Sequence, residues 1–243
     1  MAKRKFTAGA LFSGIGGLCL GFEQGGFKTS WASDHDDQVA QTYGLNFPKT
    51  KFVHEDIALI NLDDLKPVDV LHAGFPCQSF SQAGNREGFN DPRGKLFDVM
   101  FDKIEEASWK PAVLVFENAP YLKVGDEGRW FEKVKLRIKK AGYWFNSQNA
   151  FTLSTNKDAG LPQKRERLFM IATNKAVFDH NPFVKFPYSP EKKELLSMLQ
   201  LGKVEKESYY LSEENRYGKW IYNEGIKYEE GRLYPVFLTF LTQ

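Results

Sequence analysis

Phe6-Thr7-Ala8-Gly9-Ala10-Leu11-Phe12-Ser13-Gly14-Ile15-Gly16-Gly17 begins as an apolar run and ends in a turn too rich in glycine to continue it. Phe6 to Phe12 reads as a strand and the glycines as a tight turn. Leu18 to Gln24 then has the spacing of a short helix closed by Gly25-Gly26. Phe27 to Ala32 forms a second strand ended by Ser33-Asp34-His35-Asp36, and Asp36 to Phe47 a helix stopped before Pro48. Lys51 to His54 is a brief third strand closed by Glu55-Asp56-Ile57. Strand, glycine turn, helix, strand and acidic tip make a nucleotide-binding βαβ unit. Asp34 stands twenty residues after Gly14, where a carboxylate reaches a ribose hydroxyl. A dinucleotide fingerprint would want its third glycine where this chain has Cys19, which argues against NAD or FAD and leaves another adenosine-containing cofactor open.

Further along, Val68 to Ala73 is an apolar strand that delivers Gly74-Phe75-Pro76-Cys77-Gln78-Ser79-Phe80-Ser81. Cys77 therefore falls on the turn leaving a strand's C-terminal end, where open α/β sheets place their chemistry. Its neighbours are a proline and polar or aromatic residues, a setting in which backbone N–H groups can stabilise a thiolate. A long polar loop, Gln82 to Gly94, follows, then a helix from Lys95 to Ala107 with Leu96, Phe97, Met100 and Ile104 on its inner side. Ala112 to Phe116 is a fifth strand ending in Glu117-Asn118-Ala119-Pro120, and a parallel arrangement would bring Glu117 to the edge that holds Cys77. Trp130 to Ala141 is a basic amphipathic helix whose Lys133, Lys135, Arg137, Lys139 and Lys140 read as a solvated face, with phosphate contact the minority reading. Tyr143 to Ala150 suggests another strand, as does Leu168 to Ala172. Before the latter, Arg165 and Arg167 project to one side at extended spacing, an anion or carbonyl-oxygen site if they converge on that same edge.

The 243 residues, 42% hydrophobic and 26% charged, suit an ordinary globular protein with one large domain. Cys19 and Cys77 cannot make a disulfide framework and neither has metal-ligand spacing, so no metal site and a reducing, cytoplasmic setting are expected. Neither a signal peptide nor a membrane span is read in the chain. A net charge of +2 excludes a broadly basic nucleic-acid-binding surface. From Lys185 onward nine Lys/Arg face nine Glu, so any grip on DNA is local and lies before that point. His54, His72 and His180 lack ligand spacing and read as structural. After Lys185 the pattern degrades into short helix starts at Ser189-Pro190 and Ser212-Glu213-Glu214 and an apolar end, Tyr234 to Leu241.

Five of these stretches, in order, resemble the motifs of the DNA (cytosine-5)-methyltransferases. They are Phe12-Ser13-Gly14-Ile15-Gly16-Gly17, Gly74 to Ser81, Asp91-Pro92-Arg93-Gly94-Lys95-Leu96-Phe97, Glu117-Asn118, and Pro162-Gln163-Lys164-Arg165-Glu166-Arg167. The resemblance implies the Rossmann-like α/β fold of S-adenosylmethionine-dependent methyltransferases, a mostly parallel sheet with helices on both faces. It places Phe12, Gly14, Ile15, Gly16 and Gly17 along S-adenosylmethionine, Asp34 with His35 at its ribose, Asp56 and Ile57 at its adenine, and Pro76 and Leu96 at the border of the pocket. Cys77 becomes the nucleophile, Glu117 the proton donor to the base, Arg167 the holder of its carbonyl oxygen, and Arg165 a group that orients the site or a phosphate. The chain departs from the family pattern at Ala10, where an acidic residue is usual, and at Ala119, where valine is usual.

The resemblance runs from about Phe6 to Thr173, and the family's target-recognition region and closing motifs are not read after it. The expected organisation is a cofactor-binding and catalytic domain over residues 1–184 and a helical or irregular tail over 185–243. The sequence thus resembles the N-terminal half of a split bacterial enzyme acting on double-stranded DNA, completed by a second subunit that carries target recognition. Alternatives are a tRNA cytosine-5 methyltransferase and a truncated copy or binding subunit without activity.

Overall fold

Most parallel strands of the sheet lead into a helix that crosses back over it, and the residues that end the strands decide where the crossings turn. The computed structural model describes residues 4–76, 89 and 92–182. The chain divides into two compact units, one of Met1–Leu153 with Glu166–Pro187 and the other of Ser154–Arg165 with Tyr188–Gln243. The sequence-based readings for 185–243, and those for Cys77 and most of the loop after it, lie outside the described residues.

In the first unit the elements run β1 (Thr7–Leu11), α1 (Gly17–Gln24), β2 (Lys28–Asp34), α2 (Asp37–Asn46), β3 (Lys51–His54) and β4 (Val70–Ala73). They continue with α3 (Pro92–Glu106), β5 (Val113–Asn118), α4 (Arg129–Lys140), β6 (Tyr143–Trp144), β7 (Ala150–Ser154) and, after a departure into the second unit, β8 (Glu166–Asn174). The sheet order is β3-β2-β1-β4-β5-β8-β6, with β7 also paired to β8. The first five strands are parallel, while β8 runs antiparallel to β5 and β6. This is the mostly parallel α/β sheet expected from the sequence. Chain order reverses between β1 and β4, which opens a crevice at their C-terminal ends.

Two close approaches explain the glycines of the first βα unit. A β-carbon on Gly9 would lie 2.5 Å from the Trp31 ring, so the ring packs flat on β1. Gly16 has φ +96° and a β-carbon there would fall 2.1 Å from the Phe47 ring, a position that only glycine fills without strain. At the start of α2, Asp36 caps the helix by accepting the N–H groups of Gln38 and Val39, each at 2.9 Å.

The main core lies under β4 and β5, where Phe97 sits 5.0 Å from Phe75 and 4.9 Å from Phe101, and Phe101 sits 5.6 Å from Phe116. Three cations of the basic face of α4 are paired. Arg137 meets Asp98, Asp102 and Glu105 of α3, Lys133 meets Asp98 at 2.8 Å, and Lys135 meets Glu132. Arg137 and Lys133 thus join α4 to α3, while the Lys135 pair lies within α4. The strand expected over Tyr143 to Ala150 breaks after Trp144 into a turn at Ser147–Asn149. There Asn146 Oδ1 accepts from Gln148 N–H at 2.8 Å and Asn149 Oδ1 from Asn146 N–H at 3.0 Å, local bonds that compete with a strand ladder. The described part of the second unit holds α5 (Thr155–Asp158), around which Thr155 N–H donates to Arg165 C=O and Arg165 N–H to Thr155 Oγ1, both at 3.0 Å.

Candidate active site

The glycine turn after β1 is wound onto the end of β2. Phe12 (φ +52°), Gly14 (φ +53°) and Gly16 all lie in the left-handed region, and for an aromatic residue this is a strained backbone. The strain is held by hydrogen bonds. Ser13 N–H donates to Ser33 C=O at 3.0 Å and Gly14 N–H to Asp34 Oδ2 at 2.9 Å. Asp34 Oδ1 also accepts the N–H groups of His35 and Asp36, at 2.9 and 3.3 Å. The carboxylate expected to reach a ribose therefore locks the turn as well.

Beside it opens a cleft lined by Phe12, Ser33, Asp34 and His35 from one side and Glu55, Asp56, Ile57 and Leu96 from the other. The cavity measures about 60 Å³, widening to about 350 Å³ with the open space at its mouth. Among the described residues its lining holds three carboxylates and no lysine or arginine. Such a lining repels phosphate and suits a ligand carrying hydroxyl and amino donors or positive charge, while Phe12, Ile57 and Leu96 offer faces to a flat apolar group.

Of the residues expected along a cofactor, Phe12, Asp34, His35, Asp56, Ile57 and Leu96 ring this cleft. Gly14 anchors Asp34, Gly16 and Gly17 open α1, and Ile15 projects outward, 59% exposed. Pro76 lies beyond β4 and is not among the lining residues. Ser33 and Glu55 line the cleft without having been singled out, although each stands directly before an acidic residue that was, at a strand's C-terminal end.

The second cluster forms where β4, β5 and β8 meet. Glu117 and Asn118 are the last residues of β5 rather than a loop after it. In the antiparallel register Glu117 pairs with Phe169, so Arg167, two residues earlier on β8, lies diagonally opposite on the same face. Arg167 Nε is 2.8 Å from Glu117 Oε1, with both side chains about a quarter exposed. A β-carbon on Gly74 would lie 3.4 Å from Glu117 Oε2, so the chain leaving β4 passes directly by this carboxylate. Asn118, fully buried, donates from Nδ2 to Phe75 C=O at 3.1 Å. Arg165 precedes β8 and belongs to the second compact unit.

A model of the family described as C-5 cytosine-specific DNA methylase matches residues 6–234. The chain belongs to this family. Among curated members, the Type II methyltransferase M.Bsp6I of Bacillus sp. (strain RFL6) is 35% identical over 208 residues, covering 84% of this chain and 64% of the relative. The Type II methyltransferase M.HaeII of Haemophilus aegyptius is 37% identical over 206 residues, covering 84% and 60%. The chain thus spans 60 to 64% of the length of these relatives. The solved structure of the Entamoeba histolytica methyltransferase EhMeth shares the fold, with a TM-score of 0.62 at 22% identity over 79% of this chain and 58% of that one. The family match continues past Thr173, where the motifs read from the sequence end.

In this member of the family Cys19 is the cysteine among the described residues. Cys19 is fully buried on α1 with its Sγ 3.8 Å from His72 Nε2, and burial pushes its thiol up to about 11. It packs in the core, as its apolar neighbours suggested, and is unsuited to nucleophilic work. Among the described residues no group of three or more His, Cys, Asp or Glu side chains could hold a metal ion, and no helix is long and apolar enough to cross a membrane.

Proposed function

We propose that the chain transfers a methyl group from S-adenosylmethionine to carbon 5 of a cytosine flipped out of double-stranded DNA, through a covalent adduct on Cys77. The observation that carries this reading is the meeting of Glu117 and Arg167 beside Gly74, at the sheet edge where β4 leads toward Cys77. The Type II methyltransferases among the relatives support the substrate class.

The acidic, partly apolar cleft suits an adenosine that bears a positive sulfonium better than one that bears a pyrophosphate. Asp34 with His35 would hold the ribose, and Asp56 and Ile57 the adenine. Phe12 and Leu96 would pack on its faces, and Pro76 would border the transferred group. When bound, S-adenosylmethionine supplies an electrophilic methyl group. The remaining chemistry belongs to the chain and the base. Carbon 5 of cytosine is a poor nucleophile until a thiolate adds at carbon 6. A free thiol, pKa about 8.5, is only a few per cent thiolate at neutral pH, a fraction that neighbouring backbone N–H groups would raise.

As the Cys77–carbon 6 bond forms, the ring double bond opens and electron density moves to N3, where Glu117 in its protonated form donates. General-acid help of this kind is worth on the order of 10² to 10⁴ in rate. Arg167, bound to Glu117 through Nε, has further N–H groups in its planar fork for the cytosine carbonyl oxygen. Carbon 5 then takes the methyl group, its proton passes to water, the Cys77–carbon 6 bond breaks, and N3 returns its proton to Glu117, which restores the ring, the thiolate and the acid. The base must leave the stack first, at a cost of a few kcal/mol. Residues 1–184 carry this chemistry in the cytoplasm, with 185–243 leading toward target recognition.

The test is transfer of tritiated methyl from S-adenosylmethionine to mixed genomic DNA, by the chain alone and with the product of the adjacent reading frame. Incorporation that disappears in Cys77→Ala is expected. Silence in both mixtures, with no binding of S-adenosylmethionine by calorimetry, would overturn the reading.

A further inference from the structure

β3 stands at the end of the sheet order and pairs with β2 alone among the described residues. It has four residues, and its last register pair is Asp34 with His54. A strand so short, held on one side, has few ladder bonds, so its C-terminal end opens at little cost unless something else ties it. Two bonds do so. Glu55 N–H donates to Asp34 C=O at 3.2 Å, and His54 Nε2 lies 3.0 Å from His35 C=O. A carbonyl only accepts, so Nε2 carries the hydrogen. The same Nε2 is 3.4 Å from Asp37 Oδ1 in the first turn of α2, but Asp37 is 86% exposed and that pair adds little. Consecutive carbonyls at the end of β2 are thus gripped by consecutive residues at the end of β3. The places joined are the two walls of the acidic cleft, with Asp34 and His35 on one and Asp56 and Ile57 on the other. Each wall is stiff in itself. Asp34 accepts the N–H groups of Gly14, His35 and Asp36, and Asp56 Oδ1 accepts that of Ala58 at 2.8 Å. What the imidazole of His54 fixes is the distance between them.

We infer that His54 is a positioning residue that clasps the two walls of the cleft, so that a nucleoside whose ribose is held at Asp34 presents its base to Asp56 and Ile57. This rests on the ribose and adenine roles given to Asp34 and Asp56 in the proposed function. A histidine with a merely structural role would alter stability when replaced, but not which base the cleft prefers.

The preference is measurable on the full chain without DNA, by calorimetry with S-adenosylhomocysteine and S-inosylhomocysteine. In the second ligand the 6-amino donor of the base is replaced by a carbonyl, which a carboxylate repels. The parent is expected to bind S-adenosylhomocysteine at least about tenfold more tightly than the inosine analogue. In His54→Ala less than about a third of that ratio should remain. His54→Phe, which keeps a ring but has no donor, should behave alike, and it serves if urea denaturation shows His54→Ala unfolded. His54→Gln, whose terminal amide can donate to the His35 carbonyl, should retain most of the ratio. Hydrogen exchange at the Glu55 amide reads the clasp without ligand and should be several-fold faster in the alanine and phenylalanine variants than in the parent and His54→Gln. An undiminished ratio in the two donorless variants overturns the positioning role and leaves the cofactor reading standing. A parent that binds both ligands equally overturns it together with the adenine role of Asp56. A parent that binds neither removes the cofactor reading itself, and the inference with it.

Discussion

His72 makes the first unit sensitive to acid in a way that can be worked out in advance. The imidazole sits on β4, 1% exposed, stacked on Phe22 at 4.6 Å and 5°, with Nε2 3.8 Å from Cys19 Sγ and no hydrogen-bond partner at Nδ1. Burial lowers its pKa from 6.5 to about 4, since the charged ring is shut away from solvent and no described carboxylate pairs with it. The folded state therefore refuses a proton that the unfolded chain accepts below pH 6.5. Stability is whole above that pH, falls as pH drops from 6.5 towards 4, and levels off below. Linkage puts the loss at about 2 kcal/mol by pH 5 and about 3 kcal/mol below pH 4. Against a typical stability of about 5 to 15 kcal/mol this is a large share. The assay is urea denaturation at pH 7.5 and pH 5 for the parent and for His72→Phe, whose ring keeps the stack but cannot titrate. Other titrating groups contribute equally to both chains, so the parent should lose about 2 kcal/mol more than the variant over this interval. Equal losses would refute the reasoning, because they would mean that His72 is charged in the folded state or reached by water.

Gly16→Ala places a methyl group against the Phe47 ring on a left-handed backbone and should cost about 1 to 3 kcal/mol in urea denaturation. Arg137→Met removes the centre of the α3–α4 ion-pair network and its contact with the Phe101 ring. Because the acidic partners are 31 to 60% exposed, the loss should be only about 1 kcal/mol and should shrink in high salt. Asp34→Ala frees the Gly14 N–H and should weaken S-adenosylmethionine binding at least about tenfold by calorimetry, with about 1 kcal/mol of stability lost. Glu117→Gln should lower methyl transfer by about 10² to 10⁴ while leaving cofactor affinity unchanged.

Much of this was legible in the sequence because the parallel strands are short apolar runs bounded by residues that cannot continue them. Gly14 and Gly16, Asp34 and Pro48 each mark an ending through backbone chemistry that is local. What was not legible depends on partners distant in the chain. The direction of β8 cannot be read from Leu168 to Ala172, since an apolar run looks the same in parallel and antiparallel pairing. The diagonal meeting of Arg167 with Glu117 follows from that direction. The basic face of α4 finds its partners on α3, about 35 residues earlier. Asn118 did carry a signal. It continues the alternation Leu114, Phe116, Asn118, all buried, and a polar side chain on the apolar face of a strand calls for a specific hydrogen-bond partner.

The two clusters share one sheet edge because of a constraint at the opposite edge. Asp69, just before β4, accepts the N–H and hydroxyl of Thr7 at 2.8 and 2.9 Å and pairs with Arg4. Desolvation acts to raise its carboxyl, yet the bonds from Thr7 and Arg4 hold it below the usual range. Those contacts fix where β1 and β4 begin, and the register Ala8 with Val70 follows. Both strands are so short that an offset at the start would arrive whole at the far end, about 3.3 Å per residue. With the start fixed, the place of a β-carbon on Gly74 comes within 3.9 Å of the Phe12 carbonyl. The strained turn that borders the acidic cleft and the chain leading to Cys77 then leave the sheet side by side. Parallel pairing of β1 with β4, rather than any contact within either cluster, is what brings the acidic cleft next to the chain that leaves β4.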